Sequence, residues 1–326
     1  MEEAYFWYRL FMTRGTGPKR LARMARILDE HKVNPKDISA GASEPAEKHS
    51  ELAAFLEGKL DSGDTEDLYS SYEELTNESV EVVHPGLPVY PVGLLDDAEK
   101  FGISPVLFVK GQKALLQADG VAIAGSRNVS EEGAEIARTI AADLAGQGMN
   151  VVSGYAKGVD TMAHLGALEA GGTTTVVLGQ GIRTLPVKGD FGDVDWEHNV
   201  LVVSQFEPDA GWTSFRAMMR NRLICALSNA VLIIESGPER DSNGRMSGTF
   251  NTGKTALEMN RPLFVISPAP SEESRIGNEE LIRCGGIEVQ PAKCCAEILK
   301  RLGSSMEKGE SSKPSGPQSQ MTLFDR

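Results

Sequence analysis

The chain has 326 residues, 40% hydrophobic and 24% charged, which allows one large domain and a smaller one. Its longest apolar runs, such as Val231-Leu232-Ile233-Ile234, are far too short to span a bilayer, and the N-terminus is acidic and aromatic rather than signal-like, so a soluble cytoplasmic protein is expected. A net charge of −13 argues at first sight against a nucleic-acid partner, but residues 30–82 hold 14 acidic and 4 basic residues and so carry −10 of it. The remainder is nearly balanced, and salt confines surface charge to about 10 Å, so a local basic loop can still meet a polyanion. Four cysteines (Cys225, Cys284, Cys294, Cys295) have no metal-ligand spacing, which argues against zinc, and the adjacent pair reads as buried helix rather than a bridge.

Residues 1–29 read as helix, glycine turn, helix. Tyr5, Phe6, Leu10 and Phe11 precede Gly15-Thr16-Gly17-Pro18, and a basic amphipathic stretch follows from Lys19 to Leu28. The spacing is that of a helix-hairpin-helix or SAM-like module and equally that of a small helical packing unit. Residues 30–82 interleave acidic residues with Leu52, Phe55, Leu56, Leu60, Leu68, Tyr69 and Tyr72, so residues 1–82 are expected to form one helical domain. From Pro85 a turn-rich entry leads to Val106–Gly111, an edge strand or extended lead-in. Apolar strand runs then alternate with helical patterns, the strands falling near 121–124, 151–152, 173–178, 201–204, 231–235 and 263–267. This alternation predicts an α/β fold, a doubly wound parallel sheet over residues 83–302. Residues 303–326 collapse to Gly, Ser, Lys, Pro and Gln and are expected to be a disordered tail.

Three segments could hold phosphate. Gly125-Ser126-Arg127 follows the first core strand, Ser153-Gly154-Tyr155-Ala156-Lys157-Gly158 follows the second at the mouth of a helix beginning near Asp160, and Arg220-Asn221-Arg222 precedes another strand. A dinucleotide is not expected: no G-x-G-x-x-G follows the first strand, and Ser153-Gly154 stands where the second should end in a ribose-binding acid. Gly248 to Thr255, G-T-F-N-T-G-K-T, matches the nucleotide loop letter for letter, but Pro238 to Ser247 separate it from its strand, and the strand at 263–267 ends without a magnesium-binding Asp. Asp160 and His164 share one helical face with no nucleophile beside them and read as braces of the glycine loop. Neither a catalytic residue, a cofactor nor a metal is expected. At the far end, Gln320-Met321-Thr322-Leu323-Phe324 resembles the Q-x-x-L-F peptide by which bacterial proteins dock on the replicative sliding clamp, with Gln320, Leu323 and Phe324 as the anchors.

Taken in order, G-S-R, S-G-x-A-x-G-x-D-x-x-A-H, V-L-G-x-G, F-R-x-x-x-R-N-R, and S-G-T before A-L-E-x-N-R-P-L-F-V-I resemble the DprA (Smf) family of DNA-processing proteins over roughly residues 85 to 300. The resemblance implies an extended Rossmann-like core that binds single-stranded DNA without sequence preference, a homodimer, and loading of a RecA-type recombinase, in natural transformation or repair. On that reading Gly125, Ser126, Ser153, Gly154 and Gly158 present backbone amides to DNA phosphates. Arg127, Lys157, Arg220 and Arg222 supply charge, Asn221 belongs to the same site, and Tyr155 is a candidate for stacking on a base. The chain departs from the family at Leu185-Pro186 and in the acidic stretch through Asp190, Asp193, Asp195 and Glu197. The competing reading is a nucleotide-processing phosphoribohydrolase of the lysine-decarboxylase-like group, on a related core; only Ser247-Gly248-Thr249 and Glu258 echo its motif.

Overall fold

The computed structural model describes residues 3–33, 35, 65–185 and 198–310. Among the described residues nine strands form one sheet: β1 (Glu81–Val83), β2 (Leu107–Gly111), β3 (Gly120–Ala124), β4 (Asn150–Ser153), β5 (Thr174–Val177), β6 (Val200–Ser204), β7 (Ala230–Ile233), β8 (Leu263–Ile266) and β9 (Ile287–Val289), in the order β1-β2-β6-β5-β4-β3-β7-β8-β9. From β6 through β9 every pairing is parallel, while β2 runs antiparallel to β6 and β1 antiparallel to β2. The central strands β3 to β8 are buried at every residue, as strands covered on both faces must be, and this is why they read as continuous Val, Ile and Ala rather than as alternation.

Ten helices are named here in chain order: α1 (Glu3–Met12), α2 (Pro18–Glu30), α3 (Thr65–Asn77), α4 (Leu94–Phe101), α5 (Glu131–Gly146), α6 (Val159–Glu169), α7 (Ser214–Ala226), α8 (Gly248–Glu258), α9 (Glu272–Arg283) and α10 (Cys294–Glu310). Their starts are encoded locally. The Ser130, Thr213, Ser247 and Ser271 hydroxyls accept from the amide three residues on and so cap α5, α7, α8 and α9, and Pro18 opens α2. On one face α5 and α6 pack on each other over β3, β4 and β7, with Cys294 and Ile298 of α10 in the same apolar cluster. The opposite face buries Leu223 and Ile224 of α7 and Phe250 and Ala256 of α8 against Val152, Val231 and Val265.

Several boundaries differ from expectation. The break at residue 82 is not a break in packing: Tyr5, Phe6, Tyr8 and Leu10 of α1 and Leu21, Met24 and Leu28 of α2 share one cluster with Val82, Phe108, Val176 and Val202 of the sheet. Residues 5–8 of α1 are all buried, so this helix depends on the sheet for its apolar surroundings. The strand at Leu107–Gly111 is not the sheet edge, because the three-residue β1 pairs outside it. At the C-terminal end α10 carries the helix to Glu310, past the expected start of the tail at 303. The clamp-like residues Gln320, Leu323 and Phe324, most of the acidic segment, and Asp190 to Glu197 lie outside the described residues.

Candidate functional site

Strand order reverses at β3. The units β3-α5-β4-α6-β5 wind toward β6, whereas β7-α8-β8-α9-β9 wind the other way, so the loops after β3 and β7 diverge and leave a crevice at the carboxyl ends of these strands. A pocket of about 900 Å³ occupies that crevice. Gly125, Ser126 and Arg127 line it from the loop after β3, Arg220 and Asn221 from α7, Gly237 and Arg245 from the loop after β7, and Trp212 and Phe215 from the start of α7 and the loop before it. Among the described lining residues there are three arginines and one carboxylate, Asp160, so the pocket is locally cationic in a chain of net charge −13.

Arg220 is the centre of this charge. Its side chain is 9% exposed, Nη1 lies 3.8 Å from Asp160 Oδ2, and Nε has no hydrogen-bond partner among the described residues. Burial pulls its pKa down, Asp160 opposes that pull and Arg127 adds to it. A buried guanidinium with an unused N–H edge beside a second arginine is short of negative charge, and an oxyanion would supply it. Arg127 is exposed and lies over the Trp212 ring, with Cζ 5.3 Å from the ring centroid.

The glycine loop after β4 has a different task from the one its sequence suggests. Ser153 is fully buried and its hydroxyl donates to the Ile123 carbonyl at 2.6 Å, so it is withdrawn from the pocket. A Cβ at Gly154 would lie 1.5 Å from Arg220 Nη1; this glycine is the space in which the guanidinium sits. Gly158 has φ +79 and a Cβ there would meet the Ser126 carbonyl at 2.3 Å, so it permits the close approach of the two loops, joined by the Val159 amide donating to Ser126 O at 3.2 Å. The Asp160 carboxylate accepts from the Ala156 amide at 3.3 Å, and fully buried His164 spans the Thr174 hydroxyl and the Gly154 carbonyl, both at 2.6 Å. Ser153, Gly154, Lys157 and Gly158 are outside the pocket lining; only Ala156 and Asp160 reach it from this segment. The loop buttresses Arg220 from behind.

Two further expectations need correction. Arg220-Asn221-Arg222, which precedes β7 in the chain, lies in the interior of α7, where residues two apart point to opposite sides. Arg222 therefore faces away: its Nη1 donates to the Phe101 carbonyl at 2.7 Å, in a smaller cleft shared with Lys19, Lys100 and Glu258. Asn221, by contrast, lines the pocket and ties α7 to α8 through Nδ2, which donates to Gly248 O at 3.1 Å and Asn251 Oδ1 at 3.3 Å. Tyr155 is half-buried against the apolar cluster that α1 and α2 share with the sheet and is absent from the pocket lining, so it presents no face there.

Gly248 to Thr255 lie within α8 rather than in a loop: Ser247, Gly248 and Thr249 bring the start of this helix into the pocket lining, while Lys254 Nζ pairs with Glu239 Oε1 at 2.9 Å, so the segment does not wrap a phosphate as a nucleotide loop does. Glu258 lies in the Arg222 cleft, whereas Ser247, Gly248 and Thr249 line the switch-point pocket, so the two parts of the hydrolase echo do not meet in one site. Among the described residues no group of three His, Cys, Asp or Glu side chains could hold a metal, and no helix is long and apolar enough to cross a membrane.

Sequence reasoning missed Trp212 and Arg245, and gave no role to Phe215, which opens the F-R-x-x-x-R-N-R motif. Trp212 is a tryptophan in the glycine- and proline-containing stretch between β6 and α7, a signal that could have found it. The same stretch is anchored by Arg183, which is 15% exposed and pairs with Glu74 at 3.2 Å, Glu78 at 3.0 Å and Asp209 at 3.4 Å.

The family model described as DNA recombination-mediator protein A matches residues 82–302. Protein Smf of Escherichia coli is 31% identical over 215 residues, 65% of this chain, and the match spans about half (54%) of that relative's length. DNA processing protein DprA of Streptococcus pneumoniae is 32% identical over 199 residues, covering 59% of this chain and 68% of the relative. The crystal structure of the pneumococcal protein superposes with a TM-score of 0.60 at 26% identity, covering 86% of this chain and 97% of that one. The Helicobacter pylori protein, described for its single-stranded DNA binding mode, gives 0.54 at 26% identity, covering 68% and 96%. With the family model matched along more than half its length, from the start of the sheet into the last helix, the chain belongs to the DNA recombination-mediator protein A family.

Proposed function

We propose that the switch-point pocket binds the backbone of single-stranded DNA without regard to sequence, and that the protein serves as a recombination mediator that hands the strand to a RecA-type recombinase. The observation that carries this reading is Arg220, buried with an unused Nε–H beside Asp160 and within reach of Arg127's charge. Its setting fits a polyanion held by its phosphates, with the surplus of two positive charges in the lining drawing the strand in. Family membership and the single-stranded DNA described for the Helicobacter relative support the choice of ligand. The homodimer and the recombinase partner rest on the resemblance alone.

The test is a titration of an oligo-dT and a duplex of equal length at two salt concentrations, with wild type, Arg127→Ala and Arg220→Lys. Each phosphate contact contributes about 0.7 to the salt slope on single strands. Arg127→Ala is expected to lower the slope by about that amount and to weaken binding equally for all sequences. Arg220→Lys keeps a charge beside Asp160 but loses the planar fork, and is expected to weaken affinity more than it changes the slope. Unchanged affinity and slope in both variants would remove the proposed site. A second partner, the sliding clamp, is proposed through Gln320, Leu323 and Phe324; a chain ending at Gln318 should lose clamp pull-down while keeping its DNA affinity, and retained pull-down would end that idea.

A further inference from the structure

We infer that a second cavity, bounded by α1, α2 and the segment 85–95, is a docking groove for an extended, proline-rich peptide that carries a basic residue. The cavity holds about 590 Å³, within the range of sites that enclose a ligand of this size. Leu28 of α2, Pro85, Leu87 and Pro91 of the segment before α4, and Leu95 of α4 supply apolar walls, which continue outward at Val92, 93% exposed. Two polar groups in the same wall are buried and unspent. Trp7 is 2% exposed and its Nε1–H meets no acceptor; the Tyr90 hydroxyl, whose pKa burial drives up so that it keeps its proton, has no partner among the described residues either. A buried donor left unpaired is a standing cost to the fold, and two of them in one cavity wall call for acceptors from outside.

Donors call for carbonyl oxygens, and the local charge decides what stands beside them. Glu3, in the first turn of α1, lines the cavity with its side chain 29% exposed and meets no cation: His84 Nδ1 lies 3.8 Å from Oε1, but burial holds that imidazole's pKa down at about 4 and leaves it neutral. The other charges of the described lining, Asp29 and Lys32, pair with each other at 3.0 Å. The groove is therefore anionic by one charge. It repels phosphate, whereas an arginine or lysine head can pair with Glu3 and lay its stem along the leucines. A polyproline-type chain leaves its own carbonyls unbonded, and aromatic-lined grooves capture such chains through donors set between apolar pockets. The donors are also held in place. The Tyr90 amide donates to Leu87 O at 3.0 Å and its carbonyl accepts from Gln117 Nε2 at 3.0 Å, while Trp7 stacks on His84 with ring centroids 5.7 Å apart. Groups so fixed lose little further freedom when a partner arrives.

The experiment follows the Trp7 indole N–H of the full chain by nitrogen-edited proton NMR, assigned with Trp7→Phe. The probes are pools of acetylated, amidated hexapeptides of proline and leucine that carry one arginine, one glutamine or one glutamate each. The arginine pool is expected to move the indole proton downfield as it gains an acceptor, the glutamine pool to move it at higher concentration, and the glutamate pool to leave it in place. Glu3→Gln should weaken binding of the arginine pool about 10-fold or more, and Tyr90→Phe about 2- to 10-fold. Tyr90→Phe should also melt no lower than wild type, because it removes an unpaired buried hydroxyl; a lower melt would assign that hydroxyl to the fold and overturn its part in docking. No response to the arginine pool at millimolar peptide, an equal response to the glutamate pool, or wild-type affinity in Glu3→Gln would overturn the groove and leave its volume to water. Oligo-dT should not move the Trp7 resonance, so each of these results stands apart from the single-stranded DNA reading.

Discussion

Gly154→Ala tests the link between the buried glycine loop and the pocket. The added Cβ would lie 1.5 Å from Arg220 Nη1 and 2.4 Å from both Arg220 Cζ and Asp160 Oδ2. Ordinary contact needs about 3.5 Å, so the guanidinium must retreat by roughly 2 Å. The atom it meets is the end of a flexible side chain rather than backbone, and the fold should survive at a cost of about 1–3 kcal/mol. A 2 Å retreat, however, exceeds what a hydrogen bond tolerates, and a charge-assisted bond to phosphate is worth about 1.5–3 kcal/mol, so affinity for single-stranded DNA should fall roughly 10- to 150-fold. Gly146→Ala is the control: it lies in the last turn of α5 with no atom within 4 Å of the new Cβ, and should leave DNA affinity unchanged while raising stability by about 0.5–1 kcal/mol. Fluorescence anisotropy with labelled oligo-dT and a thermal melt decide the matter. Wild-type affinity in a folded Gly154→Ala protein would show that Arg220 in its observed position does not hold DNA.

Two further outcomes follow from groups away from the pocket. His84 is fully buried, stacked on Trp7 with ring centroids 5.7 Å apart, its Nδ1 accepting from the Gly86 amide at 3.2 Å and its Nε2 without a partner among the described residues. Burial holds its pKa down at about 4 even though Glu3 Oε1 lies 3.8 Å from Nδ1. The unfolded chain, with an ordinary value near 6.5, therefore binds the proton more tightly; His84 leaves stability intact above about pH 6.5 and costs progressively more as pH falls toward 4, roughly 3 kcal/mol in full. Urea denaturation between pH 7.5 and 4.5 should show a steeper loss in wild type than in His84→Gln, and parallel curves would refute this. Lys254→Met should bind oligo-dT as wild type does and neither protein should melt higher with millimolar ATP, because Lys254 serves an exposed pair with Glu239 on a helix flank; an ATP-dependent rise abolished by the mutation would reinstate the nucleotide loop.

What the sequence disclosed depended on whether a signal was local. The central strands were legible because burial on both faces leaves uninterrupted apolar runs rich in β-branched residues, Val151-Val152 and Val231 to Ile234 among them. The short β1 and β9 were not: three residues with an exposed member carry too little pattern to distinguish from loop, and their pairing is decided by neighbours far along the chain. The same rule separates the site residues. Arg127 and Gly125 sit directly after a legible strand, so their place at the switch point could be read off the order of elements. Arg220 and Arg222 look interchangeable in sequence, and only helical phase, fixed by the start of α7 at the Thr213 cap, sends one into the pocket and the other to the Phe101 carbonyl. Ser153, Gly154 and Gly158 were over-read for a related reason. A glycine that admits a ligand's phosphate and a glycine that admits a neighbour's side chain look alike in sequence, since each is defined by what occupies the space of its missing Cβ. At Gly154 the occupant is already present as the Arg220 guanidinium: glycine makes room for arginine, His164 fixes the Gly154 carbonyl, Asp160 offsets the charge, and Arg220 lines the pocket with its Nε unpaired among the described residues. On the proposed reading, such a relay places the buried positive charge at the crevice in advance, so the cost of burying it is met in folding rather than on binding, and a net charge of −13 is no bar to an anion site there.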